Sequence, residues 1–203
     1  MSRIGALGGT FDPIHLGHLA AAKAAMDCAH LDRVLFIPSA QPPHRGAAQA
    51  TAADRLAMSK LALDGDPRYE VSDVEIKRGG RSYTVDTLEE LHRAFPNDQL
   101  FLILGWDAAR LFRTWHEPDR VSALASIVIV DRGKSQPQLA ELQALGLAPE
   151  RLSLCHVRTP EISGSELRRA IAAGESVAGK VPAAVERYIA THHVYGDNRR
   201  VGS

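Results

Sequence analysis

The chain has 203 residues, 45% hydrophobic and 24% charged, which suits one large domain whose core needs no staples. Lys+Arg and Asp+Glu both number 24, so no overall basic field exists to draw in nucleic acid, and an anionic ligand must be held by a local cluster. No apolar run approaches the roughly 20 residues of a membrane span, so no membrane partner is expected. Met1-Ser2-Arg3-Ile4-Gly5 enters a strand pattern directly, without the basic and apolar regions of a signal peptide. Cys28 and Cys155 show no CxxC or zinc spacing. Together these features lead us to expect a reduced, cytoplasmic protein.

In chain order, residues 4–7 predict a short buried strand and 16–30 a helix, with Leu16, Leu19, Ala20 and Met26 at helical spacing. Residues 34–37 predict a second strand, ended by Pro38 and followed by a loop over 39–53 long enough to be functional. Residues 55–63 read as helix, and 69–76 alternate as one or two strands until Gly79-Gly80 breaks the pattern. The amphipathic stretch 83–95 places Val85, Leu88, Leu91 and Phe95 on one side and stops at Pro96-Asn97. Continuous apolar runs at 100–104 and 126–130 read as central parallel strands, with a short helix over 107–112 between them. A helix over 138–145, a strand over 152–157 and helices over 163–173 and 182–192 complete the pattern.

This alternation argues for a single α/β domain over 1–195, an open parallel sheet with helices on both faces, and a flexible tail over 196–203. Ligands of such sheets bind beyond the carboxyl ends of the strands. Gly8-Gly9, residues 38–45 and 105–107, and Arg132 all follow strands at that end, and residues 162–168 can join them.

The string Gly8-Gly9-Thr10-Phe11-Asp12-Pro13-Ile14-His15-Leu16-Gly17-His18 is the most informative segment. It supplies neither GxxxxGK[ST] nor GxGxxG. Two glycines let backbone approach a ligand, and two histidines three residues apart sit where a helix begins, with unpaired N–H groups and a positive dipole end. The string reads as a nucleotide-phosphate site, although an HxxH pair alone fits a tight turn or a metal ligand equally well. Ser163-x-x-Glu166 is a capping box with Ile162 and Leu167 as its hydrophobic staple, and a capped helix start is itself a phosphate site. Tyr83-Thr84 opens another helix. Taken singly, Asp107 fits a helix N-cap, Trp115 fits a core, and His44, Arg45, Arg78 and Arg81 fit a solvated surface. His192-His193 fit a helix end.

Gly8–His18, with its HxGH core, resembles the signature of the nucleotidyltransferase family related to the HIGH motif of class I aminoacyl-tRNA synthetases. The fuller string is similar to that of bacterial nicotinate-nucleotide adenylyltransferases. So are Ile37-Pro38 with Pro42-Pro43-His44-Arg45, Ser82-Tyr83-Thr84-Val85-Asp86-Thr87-Leu88, Leu104-Gly105-Trp106-Asp107 with Trp115, and Ile162-Ser163-Gly164-Ser165-Glu166-Leu167-Arg168. The resemblance implies a Rossmann-like fold and the reaction of ATP with nicotinate mononucleotide to give deamido-NAD and pyrophosphate.

It also implies roles. His15 and His18 would be catalytic, in protonated form beside phosphates. Gly8, Gly9, Thr10, Phe11, Gly105, Asp107, Ile162, Ser163, Ser165 and Arg168 would bind ATP. His44, Arg45, Tyr83, Thr84, Trp115 and Arg132 would bind the mononucleotide, with Trp115 stacked on the pyridine ring. Mg²⁺ would arrive on ATP, with no metal ligands from protein side chains. Two positions depart from the family pattern: Trp106 replaces a small residue and Arg45 a common lysine. The competing readings are another adenylyl- or cytidylyltransferase, for instance for phosphopantetheine, and a nucleotide sensor that binds without turnover.

Overall fold

The structure is a computed structural model that describes residues 1–42, 47–131, 137, 139–157 and 161–196. The expected strands form β1 (Arg3–Gly9), β2 (Arg33–Pro38), β3 (Tyr69–Val71), β4 (Gln99–Gly105), β5 (Ser126–Asp131) and β6 (Leu152–His156). They make one sheet in the order β3-β2-β1-β4-β5-β6, with each adjacent pair parallel. This is the doubly wound order in which ligands bind where the strand sequence reverses, here between β1 and β4.

Side-chain alternation sorts the strands onto two cores. Val34, Phe36, Phe101, Ile103, Val128 and Val130 pack with α1 (Leu16–Ala29), α2 (Ala52–Leu63), α8 (Gly164–Ala172) and α9 (Ala183–Thr191). Their in-between neighbours Ile4, Leu35, Leu100, Leu102, Leu104 and Ile127 pack on the opposite face. There they meet α4 (Thr84–Ala94), α5 (Trp106–Ala109) and α6 (Pro118–Leu124). The helix α1 buries Gly17, Ala21, Ala22, Ala25 and Ala29 together with Met26, so small side chains make up most of what separates its backbone from the sheet. The short α7 (Leu139–Ala144) precedes β6.

Three expectations are corrected. Residues 69–76 do not stay extended: β3 ends at Val71, and α3 (Val74–Arg78) turns inward, with Lys77 N donating to Asp73 O at 2.8 Å. The alternation there reflects a helix that buries Glu75. Arg78 is correspondingly no surface residue, since its guanidinium donates to Glu90 and to Thr87 Oγ1. The expected helix over 107–112 divides into α5 and a 3₁₀ turn (Phe112–Thr114), and α6 follows, opened by Pro118 in its first turn.

The reading of two unlinked, reduced thiols is corrected as well. Because α1 packs across β5 and β6, Cys28 in its last turn meets buried Cys155 in β6. The two form a disulfide with Cα atoms 5.9 Å apart, spanning 127 residues of sequence. Among the described residues no helix is long and apolar enough to cross a membrane. Of the expected tail, only Gly196 lies within the described residues.

Candidate active site

The end of β1 delivers the first part of the site. Gly8 is exposed at the strand's carboxyl end with open space where a side chain would stand. Gly9 is glycine for a different reason: a Cβ there would come within 2.9 Å of the Phe11 ring. Phe11 takes a left-handed φ of 49° and buries its ring against Phe36, so it anchors the loop in the core beneath the site. Thr10 turns its carbonyl oxygen inward to accept from Arg55 Nη1 at 2.8 Å.

His15 is the N-cap of α1, and His18 stands one turn on. Their rings stack with centroids 3.7 Å apart and planes 23° apart. The edge of Phe11 meets the His18 ring at 5.0 Å. His15 N donates to His18 Nδ1 at 3.2 Å. A nitrogen that accepts a backbone N–H holds no proton of its own, so this bond fixes the tautomer and leaves Nε2–H as the donor His18 can offer. In this arrangement Nε2 is the ring nitrogen that His18 can present to a ligand, and the expected imidazolium would need Nδ1 released from that bond. The opening of α1 is also less free than an isolated helix start, since Leu16 N donates to Lys180 O and His18 N to His15 O, each at 2.9 Å.

From the far end of the chain, the start of α8 joins the loop. Ser163 is its N-cap, as expected, but the capping box is not formed. The Ser163 hydroxyl instead meets the Ser165 hydroxyl at 2.8 Å, and Glu166 is exposed. Ile162 and Leu167 are both buried in the core, consistent with a staple. Arg168 Nη1 donates to Asp12 O at 2.7 Å and lies 3.7 Å from Asp12 Oδ2. Gly164 leaves room for this reach, since a Cβ would lie 3.4 Å from both Arg168 Nη1 and Asp12 O.

At the switch point, Gly105 is the N-cap of α5 and Asp107 its second residue, so Asp107 is not the cap. Its side chain is 92% exposed and paired with Arg110 at 3.0 Å. Trp106, one of the two expected departures, is buried in the core.

Two of the residues expected to bind the mononucleotide stand at the start of α4. Tyr83 is its N-cap and Thr84 its first residue. Ser82 fastens this helix start to the end of β2: its hydroxyl accepts from Ala40 N at 2.9 Å, and its own N–H donates to Gln41 O at 2.9 Å. The Tyr83 ring lies 4.4 Å from that of His116, and half-buried Trp115 packs on Phe112 at 5.7 Å. Glu75 supports the helix from below, with Thr87 Oγ1 donating to Glu75 Oε1 at 2.7 Å. Burial pushes the Glu75 carboxyl above the usual carboxylate range, against hydrogen bonds from Thr87 and Ser82 that favour its charge.

Sequence reasoning missed Arg55, Glu75 and His116. Each stands outside the quoted motifs, and only adjacency to Trp115 pointed at His116. His44, Arg45 and Arg132 lie outside the described residues.

A parallel sheet in this order, with a histidine pair at the first helix start, defines the class of nucleotidyl-transferring α/β domains. A family model described as cytidylyltransferase-like matches residues 6–170. The chain is 46% identical over 193 residues to a Thermus thermophilus protein, covering 95% of this chain and 99% of that one. It is 41% identical over 197 residues to a Thermomicrobium roseum protein, covering 96% and 92%. Both relatives bear the name "Probable nicotinate-nucleotide adenylyltransferase". The chain belongs to the cytidylyltransferase-like family and, within it, to the nicotinate-nucleotide adenylyltransferases. Its fold is shared with a Plasmodium falciparum nicotinic acid mononucleotide adenylyltransferase complexed with NaAD, at a TM-score of 0.79, 17% identity and coverage of 96% and 98%.

Proposed function

We propose that this chain transfers the adenylyl group of ATP to nicotinate mononucleotide, releasing deamido-NAD and pyrophosphate. The observation that carries the reading is the stacked His15–His18 pair at the carboxyl end of β1, within one loop of Arg168. The mononucleotide's phosphate oxygen attacks the α-phosphorus of ATP. The bond to the bridging α–β oxygen breaks, and its electrons leave with pyrophosphate. A phosphate monoester with a second pKa near 6 is already largely ionised at neutral pH, so no general base is needed. The task is to hold two polyanions in line and to stabilise the charge that develops.

His18 Nε2–H and His15 serve the α-phosphate region, with the backbone of Gly8, Gly9 and Thr10 beside them. Ser165 and Arg168 serve the leaving pyrophosphate. Mg²⁺ enters as part of the MgATP substrate. Among the described residues no cluster of three or more His, Cys, Asp or Glu side chains could hold an ion; phosphate oxygens and water are the usual ligands of Mg²⁺ bound with a nucleotide. The Thr84 backbone N–H at the start of α4 receives the nicotinate carboxylate, the Tyr83 N–H beside it donating to Arg81 O at 3.1 Å until the ligand arrives, and Trp115 stacks on the cationic ring. We place the reaction in the cytoplasm, where the Cys28–Cys155 link has to persist against reducing thiols.

Pyrophosphate release with ATP and nicotinate mononucleotide, beside parallel assays with nicotinamide mononucleotide and phosphopantetheine, tests the reading. The expected result is the highest kcat/KM with the nicotinate form. Turnover only with phosphopantetheine, or nucleotide binding without turnover, would overturn it.

A further inference from the structure

Asp12 is absorbed by none of the roles above, yet segments distant in sequence converge on it. Its side chain is only 5% exposed. One carboxylate oxygen accepts from Gln49 N at 2.8 Å, and the other accepts from Ala50 N at 3.0 Å and from the Tyr195 hydroxyl at 2.7 Å. Its backbone oxygen accepts from Arg168 Nη1. These partners lie 37, 38, 183 and 156 residues away in the chain. The clasp is mutual: as Asp12 holds the run leading into α2, Arg55 of α2 donates back to Thr10 O, two residues before Asp12. The end of α9 closes the ring, because the Tyr188 hydroxyl donates to Asp54 Oδ1 at 3.0 Å on α2. Tyr195 lies beyond residues 6–170, the span the family model matches.

From this convergence we infer that Asp12 is a positioning residue for nucleotide binding, with Tyr195 as its second arm. It fixes the guanidinium of Arg168 relative to His15, three residues further on, and locks the β1–α1 loop to the α2 entrance. The charge matters, because three donors converge on the carboxylate and each bond is charge-assisted. Asparagine would present an NH₂ group where a backbone N–H or the phenol now donates. Arg168 would then lose the nearby negative charge and the fixed carbonyl that aim it. A catalyst that works by alignment is sensitive to such a loss, since a misplacement of about 1 Å costs on the order of 100-fold.

The inference rests on the adenylyl-transfer reading, so its test separates binding from turnover. ATP affinity is measured by calorimetry, and KM for each substrate by pyrophosphate release, on wild type, Asp12→Asn, Arg168→Lys, the double variant and Tyr195→Phe. Melting temperature monitors the fold. We expect Asp12→Asn to weaken ATP binding about tenfold, the scale of one charge-assisted hydrogen bond. KM for nicotinate mononucleotide should stay within about twofold, and the double variant should be no worse than the poorer single one. Equal weakening toward both substrates, or a double variant whose defect multiplies the single ones, overturns the inference. If Asp12→Asn does not fold, Tyr195→Phe decides. A loss of ATP affinity of about threefold, one neutral hydrogen bond's worth, supports the inference, and unchanged affinity overturns it. A wild type that binds ATP but does not turn over defeats the proposed function and leaves the Asp12 result readable.

Discussion

The two halves of the site are built differently. On the proposed triphosphate side, the β1–α1 loop, α2 and the run leading into it, α8 and the segment after α9 are tied by hydrogen bonds between residues far apart in sequence, with Asp12 at the knot. On the acceptor side, a helix start is braced by Ser82 and Glu75, and the recognition surface is a set of partly exposed rings, Tyr83, Trp115 and His116. Under the proposed function, the first half presents oriented charge and donors to phosphates that every nucleotidyl transfer shares. The second presents a shape and a helix start to one particular acceptor. Rate should therefore be lost mainly through the first half, and selectivity through the second.

The largest effect should come from His18→Ala. Removing one preorganised donor to a developing charge costs about 10²–10³ in rate, and His18 Nε2–H is held by the bond from His15 N. We expect kcat to fall by that factor while the melting temperature moves little, because His18 is not part of the sheet core. Near-normal kcat in steady-state assays would remove histidine from the mechanism. Trp115→Ala should act on the other side. Loss of a cation–π contact of about 0.5–2 kcal/mol predicts KM for nicotinate mononucleotide raised several-fold, with ATP affinity unchanged. A fall in kcat with both KM values intact would put the tryptophan on the wrong half.

Glu75→Gln sharpens the contrast through pH. Burial raises the folded-state pKa of this acid, so the folded protein keeps the proton to higher pH than the unfolded chain. Stability is unaffected by this group below its unfolded pKa, falls as pH rises through the window up to the raised folded pKa, and stays lower above it. Glutamine can still accept from Thr87 Oγ1 but cannot titrate. The variant should therefore gain on wild type between pH 4 and pH 8 in urea midpoints, with a few-fold change at most in selectivity between acceptors. A variant whose relative stability is the same at both pH values would show that Glu75 does not titrate in this way.

The sheet and the triphosphate half were largely readable from the chain because both are written in contiguous residues. Apolar runs marked β1, β2, β4 and β5, strands were also expected over 69–76 and 152–157 where β3 and β6 lie, and the Gly8–His18 string and Ile162–Arg168 marked the loop and α8. What escaped reading depends on contacts across the fold. Nothing in the local pattern around Arg55 or Glu75 tells that they are buried, because their partners Thr10 and Thr87 are brought by other elements. Residues 69–76 alternate in polarity, but their second half belongs to α3, in which Glu75 is the buried residue. The capping box at Ser163 had the right residues at the right spacing, yet Ser163 spends its hydroxyl on Ser165. The cysteine pair was invisible for the same reason as Arg55: only the packing of α1 on β6 brings Cys28 to Cys155.

That pair allows the smallest effect on rate to be the most discriminating. The Cys28–Cys155 disulfide ties the last turn of α1 to β6, while the histidines occupy the first turn of the same helix. If the bridge held the histidines in place, breaking it would disturb the triphosphate half. The geometry argues otherwise, because Ala22 and Ala25 seat α1 on the sheet between the two ends, and Asp12 fixes the loop that precedes it. Cys28→Ser should therefore leave kcat and both KM values unchanged at 25 °C. It should cost stability, on the order of 2–4 kcal/mol for loss of a native cross-link that closes a long loop. Denaturant unfolding reads that cost, and titration of the unfolded wild type without reductant should find no free thiol. A variant with an intact urea midpoint but reduced kcat would transfer the positioning of the histidines from packing to the bridge.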